Sequence, residues 1–356
     1  MSTMDYTKEL EEIVSMVLRE GASDLHLGVG RKPMIRVASQ LLPLVKKPVL
    51  TSKDLQGFVD VLVPKDSLDL FKKDKDVDFA YSVADIARFR GNAYYRQGEL
   101  SIALRLIPNK IRSLDELRLP NILESFTRRE QGFFLVVGPI GQGKSTTLAA
   151  LIDLINTTRA EHIMTIEDPI EYLYESKKSI VDQREVRFDT PDFHSALTGM
   201  FRQDVNVGLI GEMRDPETIA TAVTAAETGH LIFSTLHTNN ASQTINRIID
   251  SFPPGQQDQI RMQLAGSLSG IFSQRLIPRI SGGLVPAYEL MIANSAVANL
   301  IREKRVHEIN TVIETGTNEG MIDMNRCLAE LVRTGEISVE EAYRHTLNPK
   351  TLERLI

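Results

Sequence analysis

Apolar positions change their rhythm along this chain. Over residues 8–20 (KELEEIVSMVLRE), Leu10, Ile13, Val14, Val17 and Leu18 recur at helical spacing, and Gly21 follows as a stop signal. Short runs rich in β-branched and aromatic residues then read as strands at Asp24–Leu27, Met34–Val37, Asp78–Ser82, Arg88–Tyr95 and Ser101–Leu106. One helix is expected between them, at about residues 52–72. Gly28, Gly30, Gly91 and Gly98 punctuate the strands. This half predicts a small α+β domain over residues 1–107.

Residues 108–120 (PNKIRSLDELRLP) are polar and bounded by prolines, and they predict a linker. Beyond it, apolar runs at Phe133–Val137, His162–Glu167, Val205–Ile210 and Leu231–Thr235, which look like buried strands, alternate with helical patterns at about 144–157, 191–203, 216–228 and 240–251. Strands buried on both faces and separated by helices predict a parallel α/β sheet in a domain over residues 121–356. From about residue 256 the pattern predicts a helical C-terminal region, with helices at 256–275, 295–303, 323–334 and 338–346. The fold class expected for the whole chain is α/β, in two domains. A length of 356 residues agrees, at about 150 residues per domain.

Composition narrows the function classes. Hydrophobic residues make up 42% and charged residues 25%, which rules out wholesale disorder. The formal net charge of −6 and an aromatic content of 6% argue against a chain built to grip nucleic acid. Cys327 is the sole cysteine, so neither an internal disulfide nor a multi-cysteine zinc site can form. No apolar run reaches the roughly 18 residues that span a bilayer, and the first residues lack a secretory apolar core. A cytoplasmic setting is expected, with no direct membrane span.

Residues 138–145 read GPIGQGKS, the G-x-x-x-x-G-K-[ST] pattern, between an apolar strand and a helix. Gly138, Gly141 and Gly143 let the backbone turn its N–H groups toward phosphate oxygens, and the helix start adds its positive dipole end. Lys144 would reach the β- and γ-phosphates, Ser145 would offer a hydroxyl to Mg²⁺, and Thr146 would lie near the α/β-phosphates. ATP and Mg²⁺ are therefore the expected ligands. Such a loop needs carboxylates to hold the metal and orient the attacking water. Two apolar strands end in acids, one at Glu167-Asp168 and one at Gly211-Glu212. Glycine stands where a metal-holding aspartate would sit in the second, which leaves Glu212 to polarise the water and Glu167 with Asp168 to hold the metal's water shell. Asp168 before Pro169 and Asp215 before Pro216 also suit helix N-caps. His230 and His237 flank the strand in AAETGHLIFSTLHTNN, where either could hydrogen-bond a γ-phosphate.

Together, GPIGQGKSTTLAALID, TIEDPIEY, GEMRDPETI and AAETGHLIFSTLHTNNA resemble the type II/IV secretion ATPase superfamily, and within it the PilT/PilU-type retraction motors of type IV pili. ASDLHL (22–27), RFRGN (88–92), ALRLIP (103–108), QREV (183–186), RIID (247–250) and EGM (319–321) extend the resemblance over nearly the whole chain. It implies a PAS-like N-terminal domain, a RecA-like P-loop ATPase domain and a homohexamer that hydrolyses ATP to retract the pilus in twitching motility. On the motif positions, Lys144 and Ser145 belong to Walker A, Glu167 and Asp168 to the Asp box, Glu212 to Walker B, and His230 and His237 to the His box. Arg90 and Arg105 match the arginines that reach the γ-phosphate from a neighbouring N-terminal domain, with residues 108–120 acting as hinge. The implied partners are an inner-membrane platform protein of the PilC kind and a second retraction ATPase, which places the motor at the cytoplasmic face of the inner membrane. The single cysteine and the position of ASDLHL at residue 22 favour the retraction type over assembly and secretion motors, which carry a four-cysteine insertion. The chain departs from the family pattern at Arg187, where glycine is usual, at Val205, Asn206 and Gly208, and at Ala298, where the retraction-linked motif has arginine.

Overall fold

The computed structural model describes residues 5–37, 40–83, 87–107 and 110–356. It divides into two compact units, Met1–Lys110 with Pro169–Leu173, and Ile111–Asp168 with Tyr174–Ile356.

In the first unit, helix α1 (Tyr6–Arg19) buries Leu10, Ile13, Val14 and Val17. Six strands, β1 (Asp24–Gly28), β2 (Met34–Val37), β3 (Gln40–Pro43), β4 (Asp76–Val83), β5 (Ala87–Arg96) and β6 (Glu99–Ile107), form one sheet in the order β3-β2-β1-β6-β5-β4. Every pairing is antiparallel. The helix expected at about 52–72 is two helices, α2 (Ser52–Leu62) and α3 (Lys65–Asp74), because Pro64 has no N–H and holds an extended ψ of 142° between them. Strand β3 has all four residues exposed, so no apolar alternation announced it.

The second unit carries α4 (Glu124–Thr127), β7 (Gly132–Val137), α5 (Lys144–Thr158), β8 (His162–Glu167), β9 (Ile180–Glu185), α6 (Phe193–Met200), β10 (Val207–Ile210), α7 (Pro216–Glu227), β11 (Leu231–Leu236) and α8 (Ala241–Asp250). These are followed by α9 (Pro254–Ser267), β12 (Leu268–Pro278), β13 (Leu284–Ile292), α10 (Ser295–Arg302), α11 (Ile309–Thr315), α12 (Met324–Arg333), α13 (Val339–His345) and α14 (Pro349–Glu353). The sheet order is β13-β12-β7-β11-β10-β8-β9, parallel except for the edge hairpin β12–β13. Alternate residues of β7 enter opposite cores. Phe133, Leu135 and Val137 pack in one cluster, Phe134 and Val136 in the other with Leu148, Leu151 and Ile155 of α5. A strand buried on both faces has no polar side, which is why β7, β10 and β11 show no alternation of apolar and polar residues; Ser234 and Thr235 of β11 are buried and donate to the carbonyls of Ile210 and Gly211.

Two expectations change here. The helix expected over 256–275 stops at Ser267, and Leu268–Pro278 is a strand, so the C-terminal region is not wholly helical. The strand is buried on both faces along most of its length, so its apolar and polar residues follow no period that separates strand from helix. Of the expected linker, Pro108 and Asn109 lie outside the described residues. Ile111 onward is part of the second unit, with Leu114 and Leu119 buried in its core. Strand β9 was also unanticipated; it is a largely polar, half-exposed edge.

Glu289 on β13 is a buried carboxyl whose Oε1 accepts the Ala241 amide at 2.8 Å. Burial raises its pKa to about 7, with Asp323 adding to the rise while the Ala241 amide and Arg275 oppose it. The folded chain therefore holds this proton more tightly than the unfolded chain. The stability from that proton is complete below about pH 4.5 and is lost as pH rises toward 7. Urea unfolding at pH 5 and pH 7.5 should show Glu289→Gln gaining on wild type by roughly 2–3 kcal/mol between the two pH values. An equal difference at both would contradict the assigned shift.

Candidate functional site

The parallel register ends β7, β8, β10 and β11 along one edge of the sheet. Leu236 pairs with Val137, Ile210 with Ser234, and Ile210 with Ile166. The next residues, Gly138, His237, Gly211 and Glu167, therefore emerge together at the carboxyl ends of the strands, where ligands of open α/β sheets bind.

The loop 138–143 is shaped by glycine where nothing else fits. Gly138 has φ 148°, and a Cβ there would lie 2.4 Å from the carbonyl oxygen of Gln274 on the neighbouring strand. Gly143 has φ 77° and hands the chain directly into α5, so Lys144 is the first helical residue. Lys144 is buried, and its ammonium donates to the carbonyls of Gly138 and Pro139, both at 2.8 Å. It also stands 3.2 Å from Nδ1 of His237. An ammonium has only donors, so Nδ1 is the acceptor and the ring proton sits on Nε2. Burial first, then Lys144 and Arg214, push His237 below the ordinary imidazole value, with Glu212 pulling the other way. His237 is thus neutral at pH 7. Ser145 and Thr146 follow in the first turn of α5, both half-buried.

The acids lie along the same edge. Glu167 ends β8, is buried, and accepts the Thr165 hydroxyl at 2.7 Å. Asp168 follows, with Arg187 at 3.5 Å. Gly211 permits a close approach, since a Cβ there would meet the Ile166 carbonyl at 3.3 Å. Glu212 next to it pairs with Arg214 at 2.5 Å. Asp215 caps α7 by accepting the Thr218 amide at 2.7 Å, the helix-cap role its Asp-Pro context suggested.

His230 precedes β11 and is not at this edge. The whole strand, about 20 Å of chain at about 3.3 Å per residue, separates it from His237. Its Nδ1 lies 3.0 Å from the Ala225 carbonyl and its ring packs edge-on against Phe201. Arg90 and Arg105 belong to the first unit, where they are direct cross-strand partners on β5 and β6. Arg105 donates to Asp24 at 2.9 Å. Burial pushes the Asp24 carboxyl up, but hydrogen bonds from Ser23 and Arg105 outweigh it and hold it below the usual range.

Sequence reading missed Gln142 and Gln274. Gln274 is buried, accepts the Thr147 hydroxyl at 2.6 Å and donates to the Gln142 carbonyl at 2.8 Å. The Gln142 side chain accepts the Leu276 amide at 2.7 Å. A polar stretch, Ser273-Gln274-Arg275, between apolar residues was the available signal. The unusual residues before and in β10 have local reasons. Asn206 bridges two strands, accepting the His162 amide on its side chain (2.8 Å) and the Leu231 amide on its carbonyl (3.0 Å), and Gly208 leaves space for Ile232 and Met200.

The chain matches the family described as Type II/IV secretion system protein over residues 3–349. It is 43% identical over 335 residues to the Type IV pilus retractation ATPase PilT of Pseudomonas aeruginosa, covering 94% of this chain and 97% of that one. It is 37% identical to the Type IV pilus ATPase PilU of the same organism, covering 98% and 91%. A crystal structure described as the pilus retraction motor PilT with bound ADP superposes with a TM-score of 0.90 at 44% identity, over 96% of this chain and 98% of that one.

Arg187 tests the local geometry. Its φ is 74°, a left-handed conformation that costs a residue with a Cβ about 1 kcal/mol more than glycine. Arg187→Ala and Arg187→Gly both remove the pairing with Asp168, but only alanine keeps the strain. The glycine variant should be the more stable by about 1 kcal/mol in urea unfolding. Equal midpoints would show that the backbone relaxes out of this conformation.

Proposed function

This chain belongs to the Type II/IV secretion system protein family, and on that premise we propose that it is an ATPase motor that hydrolyses ATP to power type IV pilus retraction. The observation that carries the reading is the convergence of Lys144, Glu167, Asp168, Glu212 and His237 on one strand edge around a glycine-shaped loop. Lys144 already faces two backbone carbonyls, so its ammonium is poised to exchange them for phosphate oxygens. Neutral His237 supports that ammonium without adding charge. Glu212 orients the attacking water once it leaves Arg214, an exposed partner that holds it only weakly.

The donor set suits Mg²⁺. Among the described residues no cluster of three or more His, Cys, Asp or Glu could cage a metal. Magnesium is ordinarily held by one or two carboxylates together with phosphate oxygens. Ser145, Glu167 and Asp168 would hold it and its water shell, and when bound it neutralises charge on the β- and γ-phosphates.

The chain would work as a homohexamer, with Arg90 and Arg105 of one subunit completing a neighbour's site, against a platform protein of the PilC kind at the cytoplasmic face of the inner membrane. No helix among the described residues is long and apolar enough to cross a membrane. A second reading, an accessory motor of the PilU kind beside another retraction ATPase, is favoured by α10. Ala298 is packed there against the apolar core in place of the arginine of the retraction motif.

Steady-state phosphate release should fall at least about 100-fold in Lys144→Ala and in Glu212→Gln. Near-wild-type turnover by the Glu212 variant would reject its role. Arg105→Ala should lose turnover in the assembled ring while its monomers still bind ADP. A gene deletion that leaves twitching motility intact would reject the retraction reading and leave the ATPase reading standing.

A further inference from the structure

Side chains alternate faces along a strand, so three consecutive residues can serve two layers at once. At the centre of β12, Gln274 points to one face and Ser273 and Arg275 to the other. Gln274 holds the phosphate loop. It accepts the Thr147 hydroxyl at 2.6 Å, donates to the Gln142 carbonyl at 2.8 Å, and its own carbonyl lies against Gly138. On the opposite face, Ser273 donates to the Asn239 carbonyl at 2.8 Å and Arg275 to the Asn239 side chain at 3.2 Å. Glu289, the cross-strand partner of Ser273, accepts the Ala241 amide at 2.8 Å. Asn239 and Ala241 flank the turn that carries His237 into α8, and His237 meets Lys144 at 3.2 Å.

We propose that Ser273, Gln274 and Arg275, with Glu289, form a brace that sets the phosphate loop and the His237 loop in register, and that Gln274 and Ser273 are positioning residues for nucleotide turnover. The inference rests on the ATPase reading above. In this proposal neither residue contacts the nucleotide itself. Gln274 acts through Gln142 and Thr147 on the loop that binds phosphate, and Ser273 acts through Asn239 on the histidine beside Lys144. The two faces therefore govern different quantities, one ground-state binding and the other the chemical step.

The test compares full-length wild type, Gln274→Met, Ser273→Ala and Ser273→Thr by fluorescent-ADP titration and steady-state ATPase, with thermal unfolding as the folding check. Gln274→Met is similar in size but cannot donate to Gln142 and is only a weak acceptor for Thr147, and should weaken ADP binding about tenfold. Ser273→Ala should leave ADP affinity within about twofold and lower kcat about fivefold, and Ser273→Thr, which keeps the hydroxyl, should restore it. If Gln274→Met folds unstably, Gln274→Glu is read instead. Its protonated carboxyl can donate to Gln142 and its ionised form cannot, so its ADP affinity should fall as pH rises through the pKa of that carboxyl while wild type does not follow. Wild-type ADP affinity in Gln274→Met, a pH-independent Gln274→Glu, or equal losses of affinity in the Gln274 and Ser273 variants would overturn the brace and leave the ATPase reading intact. A wild-type chain that binds no ADP would overturn both.

Discussion

Two backbones lie too close for any side chain between them, and the candidate site depends on that approach. A Cβ at Gly138 would stand 2.4 Å from the carbonyl of Gln274, so the phosphate loop lies directly on the strand beside it. That closeness lets one glutamine side chain reach the loop at Gln142 and the helix that follows it at Thr147. It also sets where α5 begins, and hence where Lys144 is held. The cost is that no residue other than glycine fits the first position, whatever its chemistry.

Around that contact the sheet does the sorting. Parallel pairing brings the carboxyl ends of four strands to one edge of the sheet, so residues separated by up to about a hundred positions in sequence meet without any loop having to reach far. The electrostatics follow from position. Lys144 is buried but satisfied by carbonyls, His237 is kept neutral by burial and by that ammonium, and Glu212 is paired with an exposed arginine. Each charged group has a partner that a phosphate or a water could replace, which is what a site built for an anionic ligand requires.

What could be read from the chain follows physical lines. Strands β7, β8, β10 and β11 and the phosphate loop were legible because a buried strand, a glycine-rich turn and a helix start each leave a local mark in composition. The β12–β13 hairpin was not, because a run buried on both faces has no period that separates strand from helix, and its head was taken for the end of α9. Missing that hairpin also hid Gln274 and Ser273, whose importance lies wholly in contacts with residues more than 30 positions away. Asp215 read correctly as a cap because capping is local. His230 and His237 were legible as the two ends of one strand, but only the parallel pairing of β11 shows which end lies beside the phosphate loop. Arg187 was visible as an unusual residue, but its left-handed φ could be learned only from the fold.

On the proposed function, this strand edge binds and cleaves a nucleoside triphosphate. Phosphate release from ATP by the purified wild-type chain, measured with Mg²⁺ and again with the metal chelated, tests it most directly. Turnover should saturate with ATP, require the metal and leave ADP bound. Protein that is folded and oligomeric yet neither retains adenine nucleotide nor releases phosphate would contradict it.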